Sequence, residues 1–417
     1  MLPKPLTSLL AISSVASAAK QCLNQTVSVD IESRNPQFDT SVIPHDNLQV
    51  TYFIQNMTRQ GHNFTNEVLK GYKTITGTYN VSTQFCWDDQ KTGNNPVLQI
   101  LTHGIGFDKT YWDLSYNDFA YSYVDHALDA GYVTLSYDRL GIGKSQHGDP
   151  LNEIQANIEI AALRSLTSQL RSGSFPGVKT AYDTIVHVGH SFGSVQSYIF
   201  AHRYPDETQG IVLTGFALNS SFLGYFLAAG NFQLASVNSP LRFGSPDLAG
   251  TVQDFLFKYT PLFDYVQPID VTALDQTPQN LPDGYIVPTN AGGNQFQFLE
   301  PPYFDVDIVP FIESSKQPVT LGEILTIGNI PAPNDFAGPV LVFTGDADQP
   351  FCGGDCYQTG GAAPSIPHQV QKAFPKVSDY DFTAYIQPAT GHGITAHYNA
   401  TGGYQVIADW LKDHQLA

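Results

Sequence analysis

Apolar residues in this chain fall into short unbroken runs, set apart by longer mixed stretches. Residues 97–102 (Val-Leu-Gln-Ile-Leu-Thr), 132–137, 184–188 and 211–214 are such runs. Runs of this length without alternation predict strands buried on both faces of a parallel sheet. Residues 113–130, closed by Gly131, residues 151–170, and a stretch running to about His202 predict the intervening helices. Strands alternating with helices in this way predict right-handed βαβ crossovers and a sheet covered on both faces. Upstream, residues 72–85 alternate Thr, Ile, Tyr and Val with polar residues and predict one more strand. Residues 19 to about 70 are polar with little periodicity and predict no element. From about Ala217 to Phe336 the rhythm breaks into a Pro-, Gly- and aromatic-rich stretch with short helical pieces, such as residues 252–259. It resumes at 339–343 and 382–386 and ends in a helix. A long interruption inside a repeating α/β pattern predicts an insertion lying over the sheet as a cap. The predicted organisation is core in 19–216, cap in 217–336 and core again in 337–417, with 1–18 set apart.

Those first residues change the compartment. Lys4, an apolar stretch from Leu6 to Val15, and the small residues Ala16-Ser17-Ala18 come in the order of a removable secretory signal. The apolar stretch is too short for a membrane span of about 20 residues, and no later segment reaches that length uninterrupted. The expected mature protein is secreted and extracellular. Sequons at Asn24, Asn56, Asn63, Asn80, Asn219 and Asn399 are then candidate glycosylation sites. Four cysteines in an oxidising compartment suggest two disulfides with three possible connectivities, of which Cys22–Cys86 with Cys352–Cys356 is favoured. No second ligand pair follows Cys352 and Cys356, so a zinc site is not expected. The formal net charge of -18 disfavours nucleic acid and anionic membranes as partners.

The strongest chemical signal is Gly189-His190-Ser191-Phe192-Gly193-Ser194, placed between a predicted buried strand and a helix. This G-x-S-x-G turn is so sharp that side chains two before and two after the serine would clash, and it exposes the hydroxyl at a helix N-terminus. Four further stretches extend the pattern. His103-Gly104-Ile105-Gly106 follows the first core strand, and Asp138-Arg139-Leu140-Gly141-Ile142-Gly143-Lys144-Ser145 follows the next. Gly345-Asp346-Ala347-Asp348 and Thr390-Gly391-His392-Gly393 follow the last two. Together they make the chain resemble the α/β-hydrolase family, and most of all secreted fungal serine esterases and other hydrolases of that fold. The resemblance spans roughly residues 97 to 393 apart from the cap. It implies an α/β-hydrolase fold, a mostly parallel sheet flanked by helices with an inserted cap.

The resemblance also assigns roles. Ser191 is the nucleophile, His392 its base and Asp348 the acid that holds the imidazole. The backbone N–H groups of Phe192 and of Ile105, or else Gly106, form the oxyanion hole. His397 competes with His392, and Asp346 with Asp348. His103, His187, Asp138 and Arg139 read as structural, and Cys352–Cys356 as a staple on the acid loop. A serine in the elbow excludes members that need a carboxylate nucleophile. Carboxylic ester hydrolysis through an acyl-enzyme leads. Alternatives are lactone, thioester or peptide hydrolysis, a triad-based lyase or perhydrolase, and a non-catalytic binding protein. No cofactor or metal is expected. The cap opens on Phe216, Phe222, Tyr225, Phe226 and Phe232, then Phe243, Phe255, Phe257, Tyr259, Phe263 and Tyr265, with Arg242 and Lys258 the only cations among them. That lining predicts a small, neutral or hydrophobic ester-type substrate.

Overall fold

The computed structural model describes residues 20–248, 250–252 and 277–417. The secretory signal, residues 253–259 of the helix expected at 252–259, and Phe263 and Tyr265 lie outside the described residues, and with them Phe255, Phe257, Lys258 and Tyr259.

Eight strands form one sheet in the order β1-β2-β4-β3-β5-β6-β10-β11. The parallel part comprises β3 (Leu98–Thr102), β4 (Val133–Tyr137), β5 (Ile185–His190), β6 (Gly210–Thr214), β10 (Val340–Gly345) and β11 (Phe382–Gln387). From β3 to β6 and in β10 every residue is buried, the environment their unbroken apolar runs anticipate. Helices α4 (Ala156–Ser172) and α5 (Phe192–Arg203) pack on the sheet, and a last helix, Ala400–Asp413, closes the chain. Among the described residues no helix is long and apolar enough to cross a membrane.

Two predicted boundaries and one predicted blank are corrected. Residues 113–130 do not form one helix. Asn117, Asp118 and Phe119 all have positive φ, and α3 (Tyr123–Asp129) begins only after Ser122, whose side chain accepts the Asp125 N–H. The helix expected from 151 starts at Ala156, because the Asp149 carboxylate captures the N–H groups of Leu151 and Asn152 in a turn. The stretch from 19 to 70 is not structureless. Its first part is β1 (Gln21–Phe38), paired antiparallel along its length with β2 (Leu69–Trp87). Val27, Val29 and Ile31 point into the core while Ser28, Asp30 and Glu32 face out, a period-two pattern masked by the polar residues around it. Asp46 caps α1 (Asn47–Thr58), which buries Val50, Phe53 and Ile54 at helical spacing.

The interrupted region contains α6 (Leu223–Gly230), α7 (Ala291–Phe298), α8 (Ile308–Ser315), α9 (Leu321–Thr326) and a small antiparallel sheet. That sheet pairs β7 (Gln233–Leu234), β8 (Tyr285–Val287) and β9 (Val319–Thr320). Residues 39–68 join it. Asn47 Oδ1 accepts the Leu234 N–H at 2.9 Å and the Thr65 hydroxyl donates to the Leu325 carbonyl at 3.2 Å. Two sulfur pairs are bonded, Cys22–Cys86 across β1 and β2 and Cys352–Cys356 beside the end of β10.

Candidate active site

All the motif residues collect at the carboxyl ends of the parallel strands, where open α/β sheets place their ligands. Ser191 directly follows β5 and has φ 54° and ψ -117°, a strained conformation held by its N–H bond to the Thr214 carbonyl. The two glycines that flank it leave no room for substitution. A Cβ on Gly189 would lie 2.4 Å from the Gly193 carbonyl oxygen, and one on Gly193 would lie 2.0 Å from that of Thr102.

Ser191 Oγ is 2.8 Å from His392 Nε2, and His392 Nδ1 is 2.7 Å from Asp348 Oδ2. The carboxylate also accepts the Thr344 hydroxyl on Oδ2 and the Phe351 N–H on Oδ1. These donors fix its plane, so His392 donates from Nδ1 and presents a bare Nε2 to the serine. His392 and Asp348 are buried, and Ser191 is 9% exposed. As the first residue of α5, Phe192 has an N–H without a partner inside the helix, at its positive end. Ile105 lies in the loop that passes against the serine, where a Cβ on Gly104 would sit 2.8 Å from Ser191 Cβ.

The competing residues serve as supports. Asp346 accepts the N–H groups of Ala389 and Thr390 and shapes the turn before His392. His397 accepts from the N–H groups of Gly391 and Glu300 and donates to the Gly393 carbonyl, and burial pushes its pKa down to about 4. His103 donates to the Gly104 carbonyl and accepts the Arg139 N–H, with burial and then the Arg139 charge holding it well below its ordinary value. His187 bonds Thr167 and Thr208 inside the core. Asp138 accepts from Lys109 and from the Lys144 N–H, bracing its turn. Cys352–Cys356 closes the loop after Asp348, and the Cys352 N–H donates to the Asp348 carbonyl.

Other neighbours of the site left no readable signal. Phe298 stacks 6.2 Å from His392, and Phe226 and Phe351 meet the same ring at 6.2 and 5.8 Å. Phe298 also touches Phe107 at 4.8 Å, and its carbonyl accepts the Gly393 N–H. His190 lies 5.0 Å from His392 and stacks on Tyr111 at 4.3 Å; burial and then His392 keep it neutral. Of the predicted cap aromatics that are described, Phe226 alone forms a ring contact with His392, while Phe216, Phe232 and Phe243 are buried in packing. Tyr225 is exposed and stacks on Phe222. Among the described residues no group of three or more His, Cys, Asp or Glu could hold a metal ion.

A mostly parallel eight-stranded sheet with these residues on the loops at its carboxyl edge defines the α/β-hydrolase fold. A model of the alpha/beta hydrolase family matches residues 99–401, so the chain belongs to that family and is a hydrolase. No curated protein matches the sequence. Similar solved structures include a thermophilic esterase from Thermogutta terrifontis (16% identity, 81% of this chain and 95% of that one, TM-score 0.42). A monoacylglycerol lipase from Paleococcus ferrophilus (15%, 81% and 99%, 0.45) and epoxide hydrolase A from Mycobacterium thermoresistibile (14%, 80% and 95%, 0.45) are others.

Proposed function

We propose that the protein is a secreted serine hydrolase that cleaves neutral, apolar carboxylic esters. The observation that carries this reading is the unbroken relay Ser191 Oγ–His392 Nε2–Asp348, at 2.8 and 2.7 Å. His392 takes the serine proton as Oγ attacks the ester carbonyl, and Asp348 stabilises the imidazolium. The oxyanion is received by the N–H groups of Phe192 and Ile105. The imidazolium then gives its proton to the departing alkoxide, leaving an acyl-serine. Water, deprotonated by the same histidine, attacks the acyl group, and the imidazolium returns its proton to Ser191 Oγ as the acid is released. The substrate class rests on the rings of Phe226, Phe298 and Phe351 around His392 and on a chain already at -18, which together offer a substrate carboxylate little to pair with. Secretion, with glycans on some of the six sequons, rests on the first eighteen residues and is consistent with the two bonded cysteine pairs.

The test combines a fluorophosphonate probe with a matched ester panel that varies acyl length and adds one carboxylate. One adduct on Ser191 is expected, with kcat lowered by about 10⁶ in Ser191→Ala, and the highest kcat/KM on neutral members. Labelling elsewhere, or no turnover by folded protein, overturns the serine mechanism. Preference for the anionic member overturns the substrate class alone.

A further inference from the structure

The oxyanion hole needs its two N–H groups aimed before substrate arrives, and a peptide N–H is aimed by its own carbonyl. The peptide is planar and trans, so fixing one end fixes the other. The Gly104 carbonyl, which shares a peptide with the Ile105 N–H, accepts from His103 Nδ1 at 2.9 Å and faces Arg139 Nη2 at 3.4 Å. The Ile105 N–H must therefore point away from Arg139. On the other side of Ile105, the Gly106 carbonyl accepts the Gln317 N–H at 2.9 Å, and Gln317 Nε2 donates to Asp108. Arg139 also reaches the other half of the hole. Its guanidinium lies 4.8 Å from the centre of the Phe192 ring, and its own N–H donates to His103 Nε2.

Arg139 is held by two carboxylates from distant parts of the chain. Glu159 of α4 pairs with it at 2.6 Å, and Glu323 of α9 pairs with the same Nη1. All three side chains are buried. Glu323 is itself fixed by a capping box with Thr320. Burial pushes the Glu159 carboxyl well up against the pull of Arg139. Such a triad is a poor source of net stability, since removing three charged groups from water costs about what their attraction returns. Apolar residues of similar volume would hold the same elements together. They would leave the Gly104 carbonyl to His103 alone, without the second donor that Arg139 supplies.

We propose that Arg139, clamped by Glu159 and by Glu323 of the inserted region, is the positioning residue of the oxyanion hole, so that the docking of residues 316–323 on the core sets the aim of the Ile105 N–H. This rests on the serine-hydrolase reading above.

The experiment compares wild type, Glu323→Gln, and the apolar triple variant Arg139→Met/Glu159→Leu/Glu323→Leu. Three readouts are taken: kcat and KM on a neutral ester, inhibition by phenylboronic acid, and inhibition by a neutral apolar ketone-free amide. The boronate becomes an anionic tetrahedral adduct on serine and needs the hole, whereas the amide reports ground-state binding. Complete loss of one such donor costs about 10²–10³ in rate. A mis-aimed donor is expected to lower kcat by roughly 10- to 100-fold in the triple variant and by about threefold or more in Glu323→Gln. Boronate affinity should fall in parallel, with KM and amide inhibition within about twofold of wild type. Unchanged kcat in folded variants, or equal losses for boronate and amide, overturns the proposal. If the triple variant does not fold, Glu323→Gln decides alone on the same readouts. Ser191→Ala run alongside keeps the two readings apart, because loss of activity there with full activity in Glu323→Gln sinks only the positioning role.

Discussion

Replacing Asp348 with asparagine exchanges one carboxylate oxygen for an amide nitrogen, and the surrounding donors decide which one. Oδ1 faces the Phe351 N–H at 3.0 Å, a backbone donor that cannot turn. Placing the amide nitrogen there would set donor against donor, at about 1–3 kcal/mol for the unsatisfied pair. The nitrogen therefore takes the Oδ2 position, 2.7 Å from His392 Nδ1 and 2.6 Å from the Thr344 hydroxyl. The hydroxyl rotates to accept one amide hydrogen. The imidazole cannot rotate away from its stack, so Nδ1 becomes the acceptor and the ring proton moves to Nε2, facing Ser191 Oγ at 2.8 Å. The base is now blocked by its own proton. A locked wrong tautomer lowers kcat by about 10⁴, or roughly 5 kcal/mol of transition-state stabilisation, while the Thr344 hydroxyl hydrogen loses its acceptor and stability falls by about 1–3 kcal/mol. Asp346→Asn is the matched control. Both its oxygens face fixed N–H groups, of Ala389 and Thr390, so it loses stability yet keeps the His392 tautomer, with kcat within about tenfold of wild type. Steady-state kinetics on a neutral ester, with urea unfolding of each variant, makes the comparison. More than about a tenth of wild-type kcat in Asp348→Asn, or an equal loss in folded Asp346→Asn, refutes the tautomer argument.

Two further outcomes concern stability. Burial holds His397 at about 4, below the ordinary value of about 6.5, so in that window the unfolded chain binds a proton that the native state refuses, and stability falls as pH drops. Urea unfolding at pH 7 and pH 5 should give wild type a loss about 2 kcal/mol larger than that of His397→Gln, whose amide can keep one acceptor and one donor; equal losses count against it. The Cys22–Cys86 bond closes a loop with a sequence separation of 64. The double Cys22→Ser/Cys86→Ser variant should lose at most about 4 kcal/mol on the chain-entropy model, and an unshifted urea midpoint would show that the bond constrains nothing.

What could be read in the sequence was whatever a few adjacent residues settle among themselves. Gly189 is required by atoms of its own turn, while the need for Gly193 comes from the distant Thr102 carbonyl, and the central strands announce burial on both faces by the absence of alternation. The alternation of β1 was equally local, yet Val27, Val29 and Ile31 sit among so many polar residues that composition hid the period. The helix assigned from 113 failed for a different reason. Asn117, Asp118 and Phe119 take positive φ, which no apolar spacing reports. Asp346 and Asp348 show where local reading stops. The two carboxylates are separated by one alanine, and what divides the turn brace from the proposed acid is which distant groups each meets, backbone N–H groups in one case and an imidazole in the other. Arg139 carries the point further. In the sequence it belongs to a turn, and it does brace one. Its partners stand 20 and 184 residues away, and only the closed fold brings Glu159, Glu323, the Gly104 carbonyl and the Phe192 ring around one guanidinium. A buried charge is tolerable only where every partner has arrived. The residue least legible from its neighbours is therefore the one whose partners come from the most widely separated stretches of the chain.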